Sequence, residues 1–264
     1  MPKNYYDSVL LEFNTLLSEI NDDLDFLRSS LKIRPRLSSL LDWTNLDPAG
    51  KDLANSFISK KTPAVSPAYL GMLVTMLGGF EQFVRKFVET TVSEINRKIT
   101  AFDRVPERVK EQNIHFTGRA LCLLREPLDH IVINHEEMVA KLATCTSGSM
   151  SYKLNSAAFS ISVRNLTPSH LTEIVKILGI EIDWDYFGRI PEYSTMFGTS
   201  GARATNRAIQ DKLSHLVKLR NRVAHTGYAG ITVTDQDLEG YLKFIKIFAT
   251  DIAIYISTKI SKMQ

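Results

Sequence analysis

The sequence predicts an all-α protein, a helical bundle with a long N-terminal helix and additional short helices. Three observations predict this class. Long segments repeat apolar residues at the spacing of one helix face. Proline and glycine stand at the expected helix starts and stops, and no segment alternates apolar and polar residues as a half-buried strand would. We therefore expect helices packed against helices around a shared core.

Length and composition indicate an ordinary globular protein. The chain has 264 residues, 44% of them hydrophobic and 23% charged, which is enough to bury a core without disulfides. Cys122 and Cys145 have no ligand pattern around them, so we expect neither a disulfide framework nor a zinc site, and a cytoplasmic location fits best. We expect no signal peptide and no membrane span. The net charge of +3 permits an anionic partner without identifying one.

The first helix and the linker after it define the predicted domain organisation. Apolar residues at helical spacing from Tyr5 to Leu31 predict a long amphipathic helix. Pro35 and the turn residues that follow it predict loops and short helical pieces over residues 34–66. We therefore expect an N-terminal helical extension and linker over 1–65 and the main domain over 66–264, with the option that both form one compact unit.

A second long helix is predicted from Ser66-Pro67, a favoured cap and first-turn pair, to about Ile99. Glycines destabilise a helix interior, and this helix contains Gly78 and Gly79. Their missing side chains would let another helix approach closely. We expect a helix contact at this point.

The middle of the chain alternates helical patterns with turn signals. Helical spacing recurs over 107–124 and 127–143, and a segment rich in Thr, Ser and Gly over 144–151 predicts a mobile loop. Thr167-Pro168 predicts the start of another short helix. Gly179 predicts its end, because glycine readily adopts the left-handed conformation found there.

The last third ends in two helices. Residues 180–200 are rich in aromatic side chains without a clear period, so we expect an irregular but packed connection. Helical spacing returns over 203–225. Thr234 and Asp237 form a predicted helix cap, and one apolar stripe from Leu238 to Ile260 predicts the final helix.

Arg220 lies in the middle of an apolar helix face. At about 100° per residue, six apolar residues fall within roughly 60° of it: Ile209, Leu213, Leu216, Val217, Val223 and Ala224. A guanidinium cannot lose its charge by deprotonation. It must therefore meet a carboxylate, a polar cavity or an anion such as phosphate. The alternatives are an Arg paired with a buried Glu or one that extends from the edge of the stripe to water.

The residues after Arg220 add a titratable group. Asn221 offers a hydrogen-bond donor and acceptor, and His225 follows near the predicted helix end at Gly227. Helix-terminal carbonyls favour imidazolium, so His225 can serve as an acid or base near neutral pH. Arg220 beside it could hold a phosphate while a ribose 2′-hydroxyl attacks the phosphorus, which needs no metal or cofactor. The alternative is a histidine that only complements the helix dipole.

The segment from Leu216 to Gly227 resembles the R-x4-H signature of HEPN domains, and specifically the RiboL-PSP type. In that type a Phe-Glu-x-Phe helix comes before the signature and an apolar helix closes the chain. Here Phe80-Glu81-Gln82-Phe83 and the stripe from Leu238 to Ile260 occupy those places. The resemblance covers roughly residues 66–264, although only the two motif blocks are specific.

The resemblance implies a homodimer in which two R-x4-H motifs face each other across an RNA-cleaving cleft. Arg220 and His225 match the catalytic pair, and Asn221 matches the accompanying polar residue. Family members typically cut RNA without metal, leaving 2′,3′-cyclic phosphate and 5′-hydroxyl ends, and many serve in toxin–antitoxin or antiviral systems. An antitoxin or defence-system protein is therefore an expected partner. The alternative is a non-catalytic HEPN module that binds RNA or protein.

Four further residues are candidates for this site. Glu81 is expected to orient Arg220 or His225, or to be the structural ion-pair partner of the buried Arg. Arg222 lies about 200° from Arg220, which favours a surface contact with RNA phosphate. Lys218 and Tyr228 are further candidate RNA contacts, although other HEPN branches place the Tyr one position earlier. The histidines elsewhere are too scattered to predict a metal site.

Overall fold

The computed structural model describes residues 5–40, 47–59, 65–123, 134–226 and 230–263, and these ranges contain helices and no strand. The predicted all-α class is confirmed. Short 3-10 turns lie at Phe102–Arg104 and Ser160–Ser162. The α-helices are α1 (Tyr5–Leu40), α2 (Pro48–Ser59), α3 (Val65–Lys98), α4 (Glu107–Cys122), α5 (His135–Thr144), α6 (Ser156–Phe159), α7 (Pro168–Ile177), α8 (Trp184–Gly188), α9 (Pro191–Phe197), α10 (Ala202–Thr226) and α11 (Asp235–Ser261).

Helix α3 is the centre of the bundle, and α1, α6, α10 and α11 all pack against it. A Cβ atom at Gly79 would overlap the side chain of Leu16, so the missing side chain lets α1 approach, as predicted. The same prediction was wrong for Gly78, where a Cβ atom would meet nothing within 4 Å. Phe13 of α1 fills the neighbouring space, with ring centroids 6.0 Å from Phe80 and 5.1 Å from Phe83. Aromatic side chains therefore form the core where α1 and α3 approach each other closely.

The predicted end of the first helix was wrong. The helix continues through Pro35 to Leu40. A proline removes one backbone hydrogen bond and its ring crowds the preceding turn, but this cost is local and the helix can continue beyond it. Further along α1, Arg28 donates hydrogen bonds to Asp235 at 2.9 Å and to Glu239 at 2.8 Å. These bonds join α1 to the start of α11.

The middle helices follow the predicted order. Helix α4 agrees with the helical pattern predicted over 107–124. Helix α5 agrees with the second half of the pattern predicted over 127–143, and residues 127–133 of that pattern lie outside the described residues. Thr167 caps α7 by accepting a hydrogen bond from the His170 backbone N–H at 3.3 Å. Gly179 follows that helix with φ of +74°, as its left-handed role requires.

The connection over 180–200 is packed as predicted but is not irregular, because it contains α8 and α9. Asp183 caps α8 by accepting from the Asp185 N–H, and Pro191 begins α9. Helices this short show too few turns for a period to be recognised. Phe187 and Tyr193 are fully buried, so both helices contribute to the core.

The last two helices agree closely with expectation. Thr234 and Asp237 form a reciprocal capping box at the start of α11, whose apolar stripe is buried. Helix α10 packs against α3, α7, α8 and α9. None of the helices in the described ranges combines the length and apolar character that crossing a bilayer requires.

Candidate active site

The inner face of α10 carries Arg220 against α3. Five of the six predicted neighbours are buried and Ala224 is exposed; the buried ones are Ile209, Leu213, Leu216, Val217 and Val223. The Arg220 side chain keeps 29% of its surface exposed. Its guanidinium is therefore held between an apolar helix interface and solvent.

Glu81 of α3 is the acidic partner of Arg220. Its Oε2 lies 3.6 Å from Arg220 Nη2, which is an ion pair longer than a hydrogen bond. Arg220 Nη1 donates to Asn221 Oδ1 at 3.1 Å, the one hydrogen bond that this guanidinium makes within the described part of the chain. Since a guanidinium has five N–H donors, most of them remain available to a ligand.

The carboxylate of Glu81 lies between two arginines. Arg85 Nη2 is 3.9 Å from the same Oε2, while the backbone N–H of Asn165 donates to Oε1 at 3.0 Å. One negative charge therefore faces two positive charges, and the Glu81 side chain is only 14% exposed. The cluster keeps one uncompensated positive charge, which favours an anion.

A small pocket opens beside this cluster. Leu77, Phe80 and Val217 give it apolar walls, and the Glu81 and Arg220 side chains add charge to its lining, which also includes Asn165 and Leu166. The pocket has room for about one water molecule, so a phosphate would meet the Arg220 guanidinium at its exposed edge and not inside the pocket.

His225 lies apart from that cluster. It occupies the last described turn of α10, and its exposed side chain makes no hydrogen bond or ion pair with any residue that the structure describes. Five residues of a straight helix turn the side chains about 140° apart and separate them by about 7.5 Å along the axis. The two motif residues therefore leave α10 in different directions.

Comparison with known families identifies the family to which the chain belongs. The sequence model of the RiboL-PSP-HEPN family matches residues 34–258, which is most of the chain. The chain belongs to the RiboL-PSP-HEPN family. HEPN domains are all-α, bind RNA, often dimerise and are often ribonucleases. Comparison with curated proteins and with solved structures gave no match.

The other candidate RNA contacts of this RiboL-PSP-HEPN chain are Lys218, Arg222 and Tyr228. Lys218 and Arg222 are exposed, and each is more than about 150° from Arg220 around the helix. Tyr228, the third candidate RNA contact, lies outside the described residues, as does Gly227. No group of three or more His, Cys, Asp or Glu side chains suited to a metal ion occurs in the described ranges.

Sequence reasoning missed two residues that contact Glu81 beside Arg220. Arg85 lies one helical turn after Glu81, and this spacing was the available signal for its contact. Asn165 meets Glu81 from 84 residues away, with φ of +45°. Neither its distant partner nor its unusual backbone can be recognised in the local sequence.

Proposed function

We propose that this RiboL-PSP-HEPN chain is a metal-independent endoribonuclease. Arg220 holds the scissile phosphate and His225 transfers a proton. The observation that carries the proposal is the half-buried Arg220 guanidinium, whose ion pair with Glu81 leaves most of its N–H donors unused. That guanidinium belongs to an R-x4-H motif in a family whose fold is often that of a ribonuclease.

The proposed reaction is attack of a ribose 2′-oxygen on the adjacent phosphorus. The P–O2′ bond forms and the P–O5′ bond breaks, which gives a 2′,3′-cyclic phosphate and a 5′-hydroxyl. A neutral His225 imidazole accepts the 2′-hydroxyl proton, and a protonated one donates to the leaving 5′-oxygen. Arg220 stabilises the negative charge that grows on the non-bridging oxygens.

The direction of the two side chains supports a homodimer. Because Arg220 and His225 leave α10 about 140° apart, one copy of the helix does not aim both at a single phosphate. A second copy of α10 facing the first would bring an imidazole to each guanidinium. Two histidines in one cleft could then divide the roles of base and acid between them.

Exposed cations extend the proposed RNA-binding surface. Lys218 and Arg222 lie on the outer side of α10. Contacts from such side chains to the RNA backbone would add affinity without base specificity. We propose that they bind phosphates next to the one that is cleaved, with Tyr228 as a further contact.

A second candidate function is RNA or protein binding without turnover. The ion pair between Glu81 and Arg220 favours it, because the carboxylate already balances the guanidinium charge and would compete with a reacting phosphate. In that case the cleft would bind RNA and leave it intact.

The proposed biological setting is a toxin–antitoxin or antiviral system in the cytoplasm. A free RNA-cleaving cleft would damage the cell's own transcripts. A partner protein that covers the Arg220 pocket or separates the subunits would control it.

The direct test is incubation of the purified chain with single-stranded RNA in EDTA. The proposal predicts cleavage that EDTA leaves unchanged. Cleavage that appears only with a divalent metal would contradict it. Tight RNA binding without any product, with or without metal, would favour the binding function instead.

A further inference from the structure

The segment from Val163 to Leu166, between α6 and α7, is attached to α3 at two points. Arg85 Nε and Nη2 donate to the Val163 carbonyl oxygen at 3.3 and 3.2 Å. One residue past Arg164, the backbone N–H of Asn165 donates to Glu81 Oε1 at 3.0 Å. Two α3 side chains therefore hold this segment: Glu81, which faces Arg220, and Arg85, which faces the same carboxylate.

Asn165 has an uncommon backbone conformation. Its φ of +45° is the one positive value at a non-glycine residue in the described ranges. Asparagine tolerates the left-handed region better than other non-glycine residues, and such residues concentrate at functional sites. The Thr167 N–H donates to the Asn165 carbonyl at 2.6 Å and closes the turn. The turn directs the Asn165 N–H toward α3.

The hydrogen bond from Asn165 gives the two oxygens of the Glu81 carboxylate different partners. One oxygen, Oε1, accepts from Asn165, and the other, Oε2, faces Arg220 at 3.6 Å and Arg85 at 3.9 Å. Without the bond to Oε1, the carboxylate could rotate and pair either oxygen with either arginine. With this bond, Oε2 has a fixed position, and the negative charge that Arg220 faces is therefore fixed as well.

We propose that Asn165 is a positioning residue for Arg220, acting through Glu81 by means of its backbone N–H. This inference rests on the proposed ribonuclease function, since it assigns the direction of the guanidinium that binds the phosphate. The Asn165 side chain is exposed and is not required for the role. What the role requires is a left-handed residue with an N–H at this position.

The test compares two substitutions at one position with a matched control. Asn165→Val disfavours the left-handed conformation because valine is β-branched, whereas Asn165→Gly keeps the N–H and adopts positive φ freely. The control is Gly148→Val. Gly148 has φ of +77°, and its N–H donates to the Asp103 carboxylate at 2.9 Å, in a contact that involves neither Glu81 nor Arg220.

We expect Asn165→Val to lower kcat for RNA cleavage about tenfold while KM changes less than about twofold, since the guanidinium acts most strongly on transition-state charge. Asn165→Gly and Gly148→Val should keep the wild-type kcat in the folded fraction. A loss in Asn165→Gly equal to that in Asn165→Val would overturn the inference. If Asn165→Val does not fold, Asn165→Ala takes its place with a smaller loss expected.

A second measurement separates this inference from the proposed function. The 15N guanidinium signal of Arg220 is identified by its absence in Arg220→Lys. It should shift in Asn165→Val and stay in place in Asn165→Gly and Gly148→Val. If the wild type does not cleave RNA, the proposed function fails while a shifted signal still supports the positioning role. Wild-type cleavage with an unmoved signal and unchanged kcat in Asn165→Val would overturn the positioning role alone.

Discussion

The inner face and the last turn of α10 differ in how much the rest of the chain holds them. Arg220, on the inner face, faces Glu81 of α3 and donates to Asn221. His225, in the last turn, is exposed and makes no hydrogen bond or ion pair with the described residues. One half of the R-x4-H motif is therefore arranged inside the subunit, and the other half is not.

Because of this difference, the two side chains depend on different contacts to reach the orientation that catalysis needs. A preorganised guanidinium can stabilise charge without moving at the moment of reaction. An exposed imidazole needs another surface to fix its direction, either a second subunit or the RNA. We therefore expect substitutions at Arg220 to affect both stability and rate, and substitutions at His225 to affect the rate alone.

The largest expected effect comes from His225→Ala. Loss of proton transfer should lower the rate of RNA cleavage by about 10²- to 10⁴-fold. The free energy of unfolding should stay within about 0.5 kcal/mol of wild type, because the side chain is exposed. Kinetic assays with chemical denaturation measure both quantities.

His215→Ala is the matched control for that variant. His215 is another exposed imidazole of α10, one that lies 3.4 Å from the Tyr241 hydroxyl. It should retain wild-type cleavage. An equal loss of rate in both variants would contradict a specific proton-transfer role for His225 and would indicate a shared effect, such as weaker RNA binding.

Arg220→Ala should lower the cleavage rate by about 10²- to 10³-fold, since it removes the N–H donors that we propose hold the scissile phosphate. It should also lower the free energy of unfolding by about 1 to 3 kcal/mol, because the largely buried Glu81 carboxylate loses one of its two cationic neighbours. Arg222→Ala, which removes an exposed arginine two residues away, should change RNA affinity modestly and leave the maximal rate intact. The comparison of the inner face with the last turn breaks down if Arg220→Ala cleaves normally.

Glu81→Gln should have a smaller effect. The substitution preserves the shape of the side chain but removes the charge between Arg220 and Arg85, so we expect a loss of about tenfold in rate, equal to about 1.4 kcal/mol. Glu94→Gln is the control on the same helix, because Glu94 is buried and pairs with Arg97 at 2.8 Å. The control should reduce stability without changing the rate, and a similar rate loss in both would contradict a specific role for Glu81.

The smallest expected effect on the site comes from Thr234→Ala at the start of α11. Losing this helix cap should cost about 1 kcal/mol of stability, with cleavage unchanged. Hydrogen bonds from the Thr234 hydroxyl and then from its backbone N–H lower the pKa of Asp237. Stabilisation from a lowered pKa is fully present above about pH 4, the value of an unfolded Asp, and is lost as pH falls through the folded value.

The stability difference between wild type and Thr234→Ala should therefore narrow below about pH 4. Thermal unfolding from pH 7 to pH 3 measures it. A difference that widens on acidification would contradict the role of the Asp237 carboxylate in the cap.

The sequence predicted those parts of the fold that local signals determine. The cap at Thr234, the proline start of α7 and the left-handed Gly179 each need only a few neighbouring residues, and all three agree with the structure. The end of α1 was mispredicted because the presence of Pro35 does not fix where a helix stops. Local chemistry was sufficient where the element depends on local contacts.

The site was predictable only in part for the same reason. Motif resemblance suggested that Glu81 approaches Arg220, and the structure places them 3.6 Å apart. The contact of Asn165 with Glu81 joins residues 84 positions apart through a backbone N–H, a group that every residue except proline carries. Residue identity does not encode such a contact, and only the folded chain reveals it.

Analysis of the RNA ends produced by the wild-type chain in EDTA tests the central claim most directly. Transfer through the 2′-oxygen, with Arg220 on the phosphate and His225 moving the proton, predicts 2′,3′-cyclic phosphate and 5′-hydroxyl ends. Products with 3′-hydroxyl and 5′-phosphate ends would contradict the account, because water rather than the ribose would then be the nucleophile.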